Sequence, residues 1–100
     1  MLKYNAMNFT TKLFIEHLPT EMDVNEIDQR FSIVGSINYV FLVKDKLGKP
    51  TGKAIVEYQM EDSVNEAVKK FDDKPVDDLI CRVKPYFTEK SQKRNQQGEL

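Results

Sequence analysis

KLFIE at residues 12–16 and KAIVEY at residues 53–58 are the two stretches that decide the fold of this chain. Successive side chains of a β-strand point to opposite faces of its sheet. In the second stretch, one face therefore carries Ala54, Val56 and Tyr58, and the other carries Lys53, Ile55 and Glu57. Both stretches are predicted to be strands that turn one face toward a core.

Amphipathic segments separate these strands. Asp23 with Glu26 and Ser63 with Glu66 each form the capping-box pattern that starts a helix. The apolar stripes that follow have helical spacing; they are Val24, Ile27, Phe31 and Val34 in the first helix, which ends near Gly35, and Val64, Ala67, Val68 and Phe71 in the second. Residues 37–43 and 80–84 favour two further strands. The predicted order is strand-helix-strand-strand-helix-strand, an α+β fold with a four-stranded antiparallel sheet.

Three segments are predicted along the chain. Residues 1–11 form a leader whose Tyr4, Met7 and Phe9 either fold back over the sheet or remain loose. Residues 12–87 form the domain, and residues 88–100 form a flexible polar tail that has no aromatic side chain to bury. There is no apolar run of about 18 residues and no signal-peptide pattern, so we expect an intracellular, soluble protein without a membrane partner.

Charge is distributed unevenly along a chain whose formal net charge is −1. Residues 20–34 carry −3 and residues 59–78 carry −4, which leaves +6 for the remainder. The acids therefore fall mainly on the predicted helices, and the bases fall on the strands, the loop at residues 44–49 and the tail. This segregation either gives one face the power to attract an anion or is ordinary solvated charge.

Nothing in the sequence favours a catalytic site, a metal or a cofactor. Cys81 is the single cysteine and is expected to pack as a small hydrophobe. His17 is the single histidine, so no serine or cysteine nucleophile has a second histidine nearby. The sequence also contains neither a P-loop nor a metal-ligand spacing. Glu16 and Glu57 are expected to contact Lys53 or Arg82, or to discourage phosphate binding locally, rather than to act as an acid and a base.

Residues 12–86 resemble the RNA recognition motif. The hexamer of that family is matched by Leu13-Phe14-Ile15-Glu16-His17-Leu18, except that His17 stands where asparagine is usual. Its octamer is matched at four positions by Thr51-Gly52-Lys53-Ala54-Ile55-Val56-Glu57-Tyr58. The resemblance implies a ferredoxin-like sandwich, with strand order 4-1-3-2 backed by two helices, and an intracellular, more specifically nuclear, role in RNA processing. The run Gly48-x-x-x-Gly52-x-Ala54-x-Val56-x-Tyr58 is also similar to the Aly/REF messenger-export adaptors.

The same resemblance implies which residues meet RNA. Base-stacking aromatics of the family stand at three outward positions, which here hold Phe14, Lys53 and Ile55. Strand alternation adds an apolar row of Phe14, Ile55 and Phe41, and basic groups for phosphates. The predicted site is Phe14, Tyr39, Phe41, Lys53, Ile55, Arg82, Lys84 and Tyr86.

Two interpretations of this face stay open. In the first, it binds single-stranded RNA weakly, with help from the basic loop and from Lys90, Lys93 and Arg94 of the tail. In the second, Ile55, Phe41 and the acidic helices form a protein-interaction surface within an RNA-processing, editing or export assembly.

Overall fold

The computed structural model describes residues 9–88. Its elements are β1 (Lys12–Glu16), α1 (Val24–Phe31) with a 3-10 turn at Ser32–Val34, β2 (Ile37–Lys44), β3 (Pro50–Tyr58), α2 (Glu61–Phe71), β4 (Lys74–Val76) and β5 (Leu79–Pro85). The antiparallel sheet has the order β2-β3-β1-β5-β4. Both helices lie against one of its faces, so the predicted α+β ferredoxin-like sandwich is confirmed.

The number of strands is the one correction to this architecture. The sheet has five strands rather than four, because Lys74–Val76 forms a short hairpin arm in which Pro75 faces Ile80 of β5. A proline has no N–H to donate, so it occurs both in edge strands and at the ends of helices. Pro75 alone therefore does not distinguish the two. Three residues around a proline also show no periodicity, and for that reason the sequence indicated only a helix end there.

The core lies between the sheet and the two helices. The inward-facing residues predicted from the alternation of β3, which are Ala54, Val56 and Tyr58, are fully buried. Cys81 of β5 is buried as predicted, and Val83 of the same strand faces inward with it. The Cys81 thiol donates a hydrogen bond to the carbonyl oxygen of Phe71 at 3.2 Å, and burial raises its pKa. It therefore packs as a buried thiol.

The helix starts agree with the sequence in one case and differ in the other. The Asp23–Glu26 capping box is present, with the Glu26 N–H 2.9 Å from the Asp23 carboxylate. The predicted box at Ser63 is wrong, because α2 begins at Glu61 and has Met60 as its N-cap. Ser63 is instead buried in the first turn, where a Cβ added to Gly35 would collide with its Oγ. A small side chain is needed at that contact, and serine meets this need.

Tyr58 joins β3 to α1. Its hydroxyl donates a 2.7 Å hydrogen bond to the carbonyl oxygen of Phe31, the last residue of α1. This hydrogen bond is buried and ties the end of α1, where the 3-10 turn begins, to the sheet. Burial, together with the charge of Asp28, raises the pKa of Tyr58, and the side chain stays a neutral donor.

The leader enters the domain from the helix side. Phe9 lines a cavity with Val64 and Asn65 of α2, and the Thr10 hydroxyl donates a hydrogen bond to the Tyr86 carbonyl at 2.8 Å. Tyr4 and Met7 lie outside the described residues, so the packing of the leader over the sheet stays a prediction. Within residues 9–88, no helix is long and apolar enough to cross a membrane.

Candidate nucleic-acid interface

One row of side chains crosses the outer face of the sheet, away from the helices. Phe41 of β2 stands opposite Ile55 of β3, Ile55 opposite Phe14 of β1, and Phe14 opposite Lys84 of β5. We call these four residues the central row. The predicted alignment of Phe14, Ile55 and Phe41 is therefore present in the backbone register, and Phe41 is 56% exposed.

The other predicted site residues flank the central row. Tyr39 stands opposite Glu57, and Lys53 stands opposite Val43. A shift of register between Ile37 and Tyr39 marks a β-bulge, which lets both Ile37 and Val40 pack against the core. Arg82 stands opposite Glu16, and Tyr86 follows β5 with its N–H donating to the Lys12 carbonyl at 2.9 Å. The structure thus brings all eight predicted residues to one face; their roles in binding stay predictions.

Phe14 is half-buried because two neighbours lie against its ring. The Lys84 ammonium is 5.7 Å from the ring centroid, within the range of a cation–π contact. The Tyr86 ring lies on the same residue, with centroids 5.9 Å apart and planes tilted by 30°. Sequence alternation placed Tyr86 on this face but did not show that it contacts Phe14. The result is an aromatic pair with a cation beside it.

Arg82 is held by a residue that sequence reasoning missed. Its Nε donates a 2.9 Å hydrogen bond to Asp72, which follows the last residue of α2. The same carboxylate oxygen accepts the Val83 N–H at 3.0 Å. These two hydrogen bonds, the backbone one first, hold the pKa of Asp72 below its usual value. Asp72 thereby fixes the guanidinium of Arg82 at one end of the outer face.

The outer face is more basic than the chain as a whole. Its outward positions hold four basic residues, Lys12, Lys53, Arg82 and Lys84, against the two acids Glu16 and Glu57, a net +2 on a chain of net −1. The expectation that Glu57 contacts Lys53 or Arg82 is wrong, because Glu57 accepts hydrogen bonds from Thr11 and Asn38 at 3.2 and 3.5 Å. Thr11 and Asn38 are nearer to the Glu57 carboxylate than Lys53 or Arg82 is.

Comparison with known proteins identifies the fold family. The profile of the RNA recognition motif matches residues 13–82. The chain belongs to the RNA recognition motif family. It is 31% identical over 83 residues to the human protein "Spliceosome associated factor 3, U4/U6 recycling protein", a match that covers 83% of this chain and 9% of that one. It is 34% identical over 70 residues to a component of eukaryotic translation initiation factor 3 from Brugia malayi, covering 69% of this chain and 24% of that one.

Solved structures agree with this assignment. The Sxl-lethal protein/RNA complex superposes with a TM-score of 0.73 at 26% identity, over 79% of this chain and 48% of that one. The RNA15 RRM superposes with a TM-score of 0.75 at 16% identity, over 86% of this chain and 99% of that one; at that identity it shows the fold alone. The chain spans less than a quarter of the length of the curated relatives named above.

This RNA recognition motif departs from its family's hexamer at a strained position. His17 has a left-handed backbone, with φ of 69°. Asparagine and histidine both adopt that conformation more readily than most other side chains, which explains why histidine can stand where asparagine is usual. The imidazole is exposed and lines a small cavity with Glu16, Arg82 and Lys84.

The octamer glycine, which lies in β3, has a packing role next to the turn that follows β1. Gly52 also has a left-handed backbone, with φ of 85°, and its carbonyl accepts the Leu18 N–H at 2.9 Å. A Cβ at this position would approach the Leu18 carbonyl oxygen to 2.9 Å. Glycine is therefore required where β3 passes the end of β1.

Among residues 9–88, no three His, Cys, Asp or Glu side chains are grouped so as to hold a metal ion.

Proposed function

We propose that this domain binds single-stranded RNA weakly on the outer face of its sheet, with the central row as the contact. The supporting observation is the alignment of Phe41, Ile55, Phe14 and Lys84 across four strands. Adjacent strands are about 4.8 Å apart, so the two phenylalanine rings stand roughly 10 Å apart with Ile55 between them. Each ring offers a base a stacking surface, and Ile55 offers an apolar contact.

Affinity is expected to be low because the octamer supplies no stacking ring. Stacking contributes about 1 to 3 kcal/mol per base, and two of the three usual platforms are Lys53 and Ile55. Tyr39 and Phe41 on β2 and Tyr86 after β5 add aromatic surface elsewhere on the face. These rings offset part of the loss and shift the stacking surface from β3 toward β2 and β5.

The charges of the outer face suit a polyanion. Lys53 and Lys84 are exposed beside the apolar members of the central row. Arg82 reaches the same face while Asp72 accepts a hydrogen bond from its Nε. Neutralising backbone phosphates with such groups releases counterions, which makes binding fall with salt. Glu16 and Glu57 stand among these cations, so we expect a shallow salt dependence rather than that of a strongly basic module.

We place this activity inside the cell, and in the nucleus before the cytoplasm. The spliceosome associated factor supports a nuclear assembly, whereas the translation initiation factor supports a cytoplasmic one. The matched stretch is 9% of the first relative, so the assembly in which the domain works is part of the proposal. A ribonucleoprotein complex with a protein partner fits both relatives.

The test is a two-dimensional amide NMR titration with a short mixed-sequence single-stranded RNA, at low and then moderate salt. We expect salt-sensitive shifts centred on the central row. Phe14→Ala should weaken binding about five- to 150-fold, the equivalent of one stacked base. Met60→Ala is the matched control, because Met60 is 63% exposed at the start of α2 and lies outside the outer face.

Equal affinity of the wild type and Phe14→Ala for RNA would remove the basis of this proposal. The second candidate function is then a protein-interaction face, favoured by one observation: aliphatic Ile55 stands at the centre of the row. In that case Ile55→Glu should abolish binding of the protein partner and leave the fold intact. A complex that survives Ile55→Glu would count against the second candidate.

A further inference from the structure

The two edges of the sheet differ in how they are protected. β4 is three residues long and contains Pro75 and Lys74, both of which discourage the addition of another strand. β2 is eight residues long and has neither a proline nor a charge between Ile37 and Val43. Among residues 9–88, no strand pairs with its outer edge. Five consecutive residues, from Tyr39 to Val43, keep a regular register with β3, so this part of the edge is straight enough to pair.

An apolar groove of about 410 Å³ runs along this edge. It is lined by Val40, Phe41, Leu42 and Lys44 of β2 and by Val24, the first residue of α1. Val40 and Leu42 turn toward the core and Phe41 turns to the outer face, so the groove wraps the edge of the strand. Val24 was predicted to lie in the core stripe of α1, but it is 39% exposed. That exposure places an apolar wall below the edge.

The charge beside the groove is acidic. Asp23 directly precedes Val24, and Glu21, Glu26 and Asp28 are exposed on the same segment. Arg30, the one cation of residues 20–34, is paired with Asp77 at 2.8 Å. The far end of the groove differs, because Lys44 lines it and the basic loop at residues 44–49 begins there, so the acidic part is the side along α1. An occupant with basic and apolar side chains complements this surface, and an acidic one does not.

We propose that the outer edge of β2 is a docking site for an extended basic and apolar peptide segment of a partner protein, which adds as a sixth strand. Main-chain hydrogen bonds to the free edge supply affinity, and alternate side chains supply specificity. Apolar side chains of the peptide pack on Phe41, whereas lysine stems lie over Val24 and Leu42 with their ammonium groups toward the acids of α1. This site shares Phe41 with the central row, but β3 lies between it and Phe14 of β1.

The test uses the full chain and a blocked eight-residue peptide of alternating lysine and valine, followed by amide NMR. Shifts should cluster on residues 39–44 and on Val24, and outward amides of β2 should gain protection from hydrogen exchange. Val24→Lys should weaken binding about tenfold. Ile33→Lys makes the same change at a residue that is 62% exposed and outside the groove, and it should weaken binding less than about twofold.

Four outcomes would overturn the proposal. The first is that millimolar peptide causes no shifts, and the second is that Val24→Lys and Ile33→Lys weaken binding equally. The third is that a fully N-methylated peptide, which cannot donate main-chain hydrogen bonds, binds equally well. The fourth is that the β2 amides shift with protein concentration alone, which would make a second copy the occupant. The peptide should bind Phe14→Ala as it binds the wild type. Failure of the RNA proposal and failure of this one are therefore distinguishable.

Discussion

The two faces of β1 and β3 follow the family motif to different degrees. On the inner face, Leu13, Ile15, Val56 and Tyr58 match the pattern and are fully buried. On the outer face, Lys53 and Ile55 replace the stacking rings, and only Phe14 remains. Burial constrains the size and polarity of the side chain at every inner position, since cores are close-packed. At an outer position, the side chain is constrained by the ligand that it contacts. The fold is thus kept while the binding surface changes.

Leu13 and Phe14 test this contrast most strongly, because they are adjacent on β1 and face opposite ways. Leu13→Ala should lower the free energy of unfolding by about 2 to 5 kcal/mol, the cost of a cavity in a packed core. Phe14→Ala should lower it by less than about 1 kcal/mol, since its ring loses mainly the contacts with Lys84 and Tyr86. Urea unfolding of both variants measures the difference, and equal losses would contradict the assignment of faces.

Tyr58 sharpens the contrast within the inner face. Tyr58→Phe keeps the ring but leaves the Phe31 carbonyl without its 2.7 Å donor. A buried hydrogen bond contributes about 0.5 to 1.5 kcal/mol, so thermal unfolding should begin at a lower temperature while RNA affinity stays the same. Tyr39→Phe on the outer face is the matched control, and a similar loss there would show that burial is not the cause.

Asp72 tests how the outer face is held at its end. Because its folded pKa is lowered by the Val83 N–H and by Arg82, its contribution to stability is present above the unfolded value of about 3.9 and is lost as pH falls through the folded pKa. Asp72→Asn should cost about 1 kcal/mol at neutral pH, and this cost should shrink as pH falls below about 3.9. Unfolding of the wild type and of Asp72→Asn, measured from pH 7 to pH 3, tests this prediction. A difference in stability that stays constant across that range would exclude the charge of the Asp72 carboxylate as the cause.

His17 is the smallest expected effect and the one with the opposite sign. His17→Asn exchanges histidine, which already tolerates φ of 69° better than most residues, for asparagine, which after glycine tolerates it best, so the free energy of unfolding should rise by no more than about 0.5 kcal/mol. His17→Ala supplies the control, since alanine gains no such tolerance and should not stabilise. If both variants stabilise alike, backbone strain is not the reason.

Prediction from sequence succeeded where the pattern is local. Alternation in β3 and β5 identified the inner and outer residues, and the Asp23–Glu26 box identified the start of α1. It failed at Ser63, because serine that packs against Gly35 inside a helix has the same pattern as a cap. It also failed at Val24, because helical spacing does not show where a helix extends past the sheet.

The sequence by itself determined the order of the two helices and of every strand except β4, and the side of those strands that faces the core, because both depend on periods of two and 3.6 residues. Only the tertiary structure decided that Asp72 holds Arg82, that Tyr86 lies on Phe14, and that β2 presents an open edge beside Val24. Each of these contacts joins residues from different elements, and no local pattern encodes which elements meet. Packing of the whole chain fixes them.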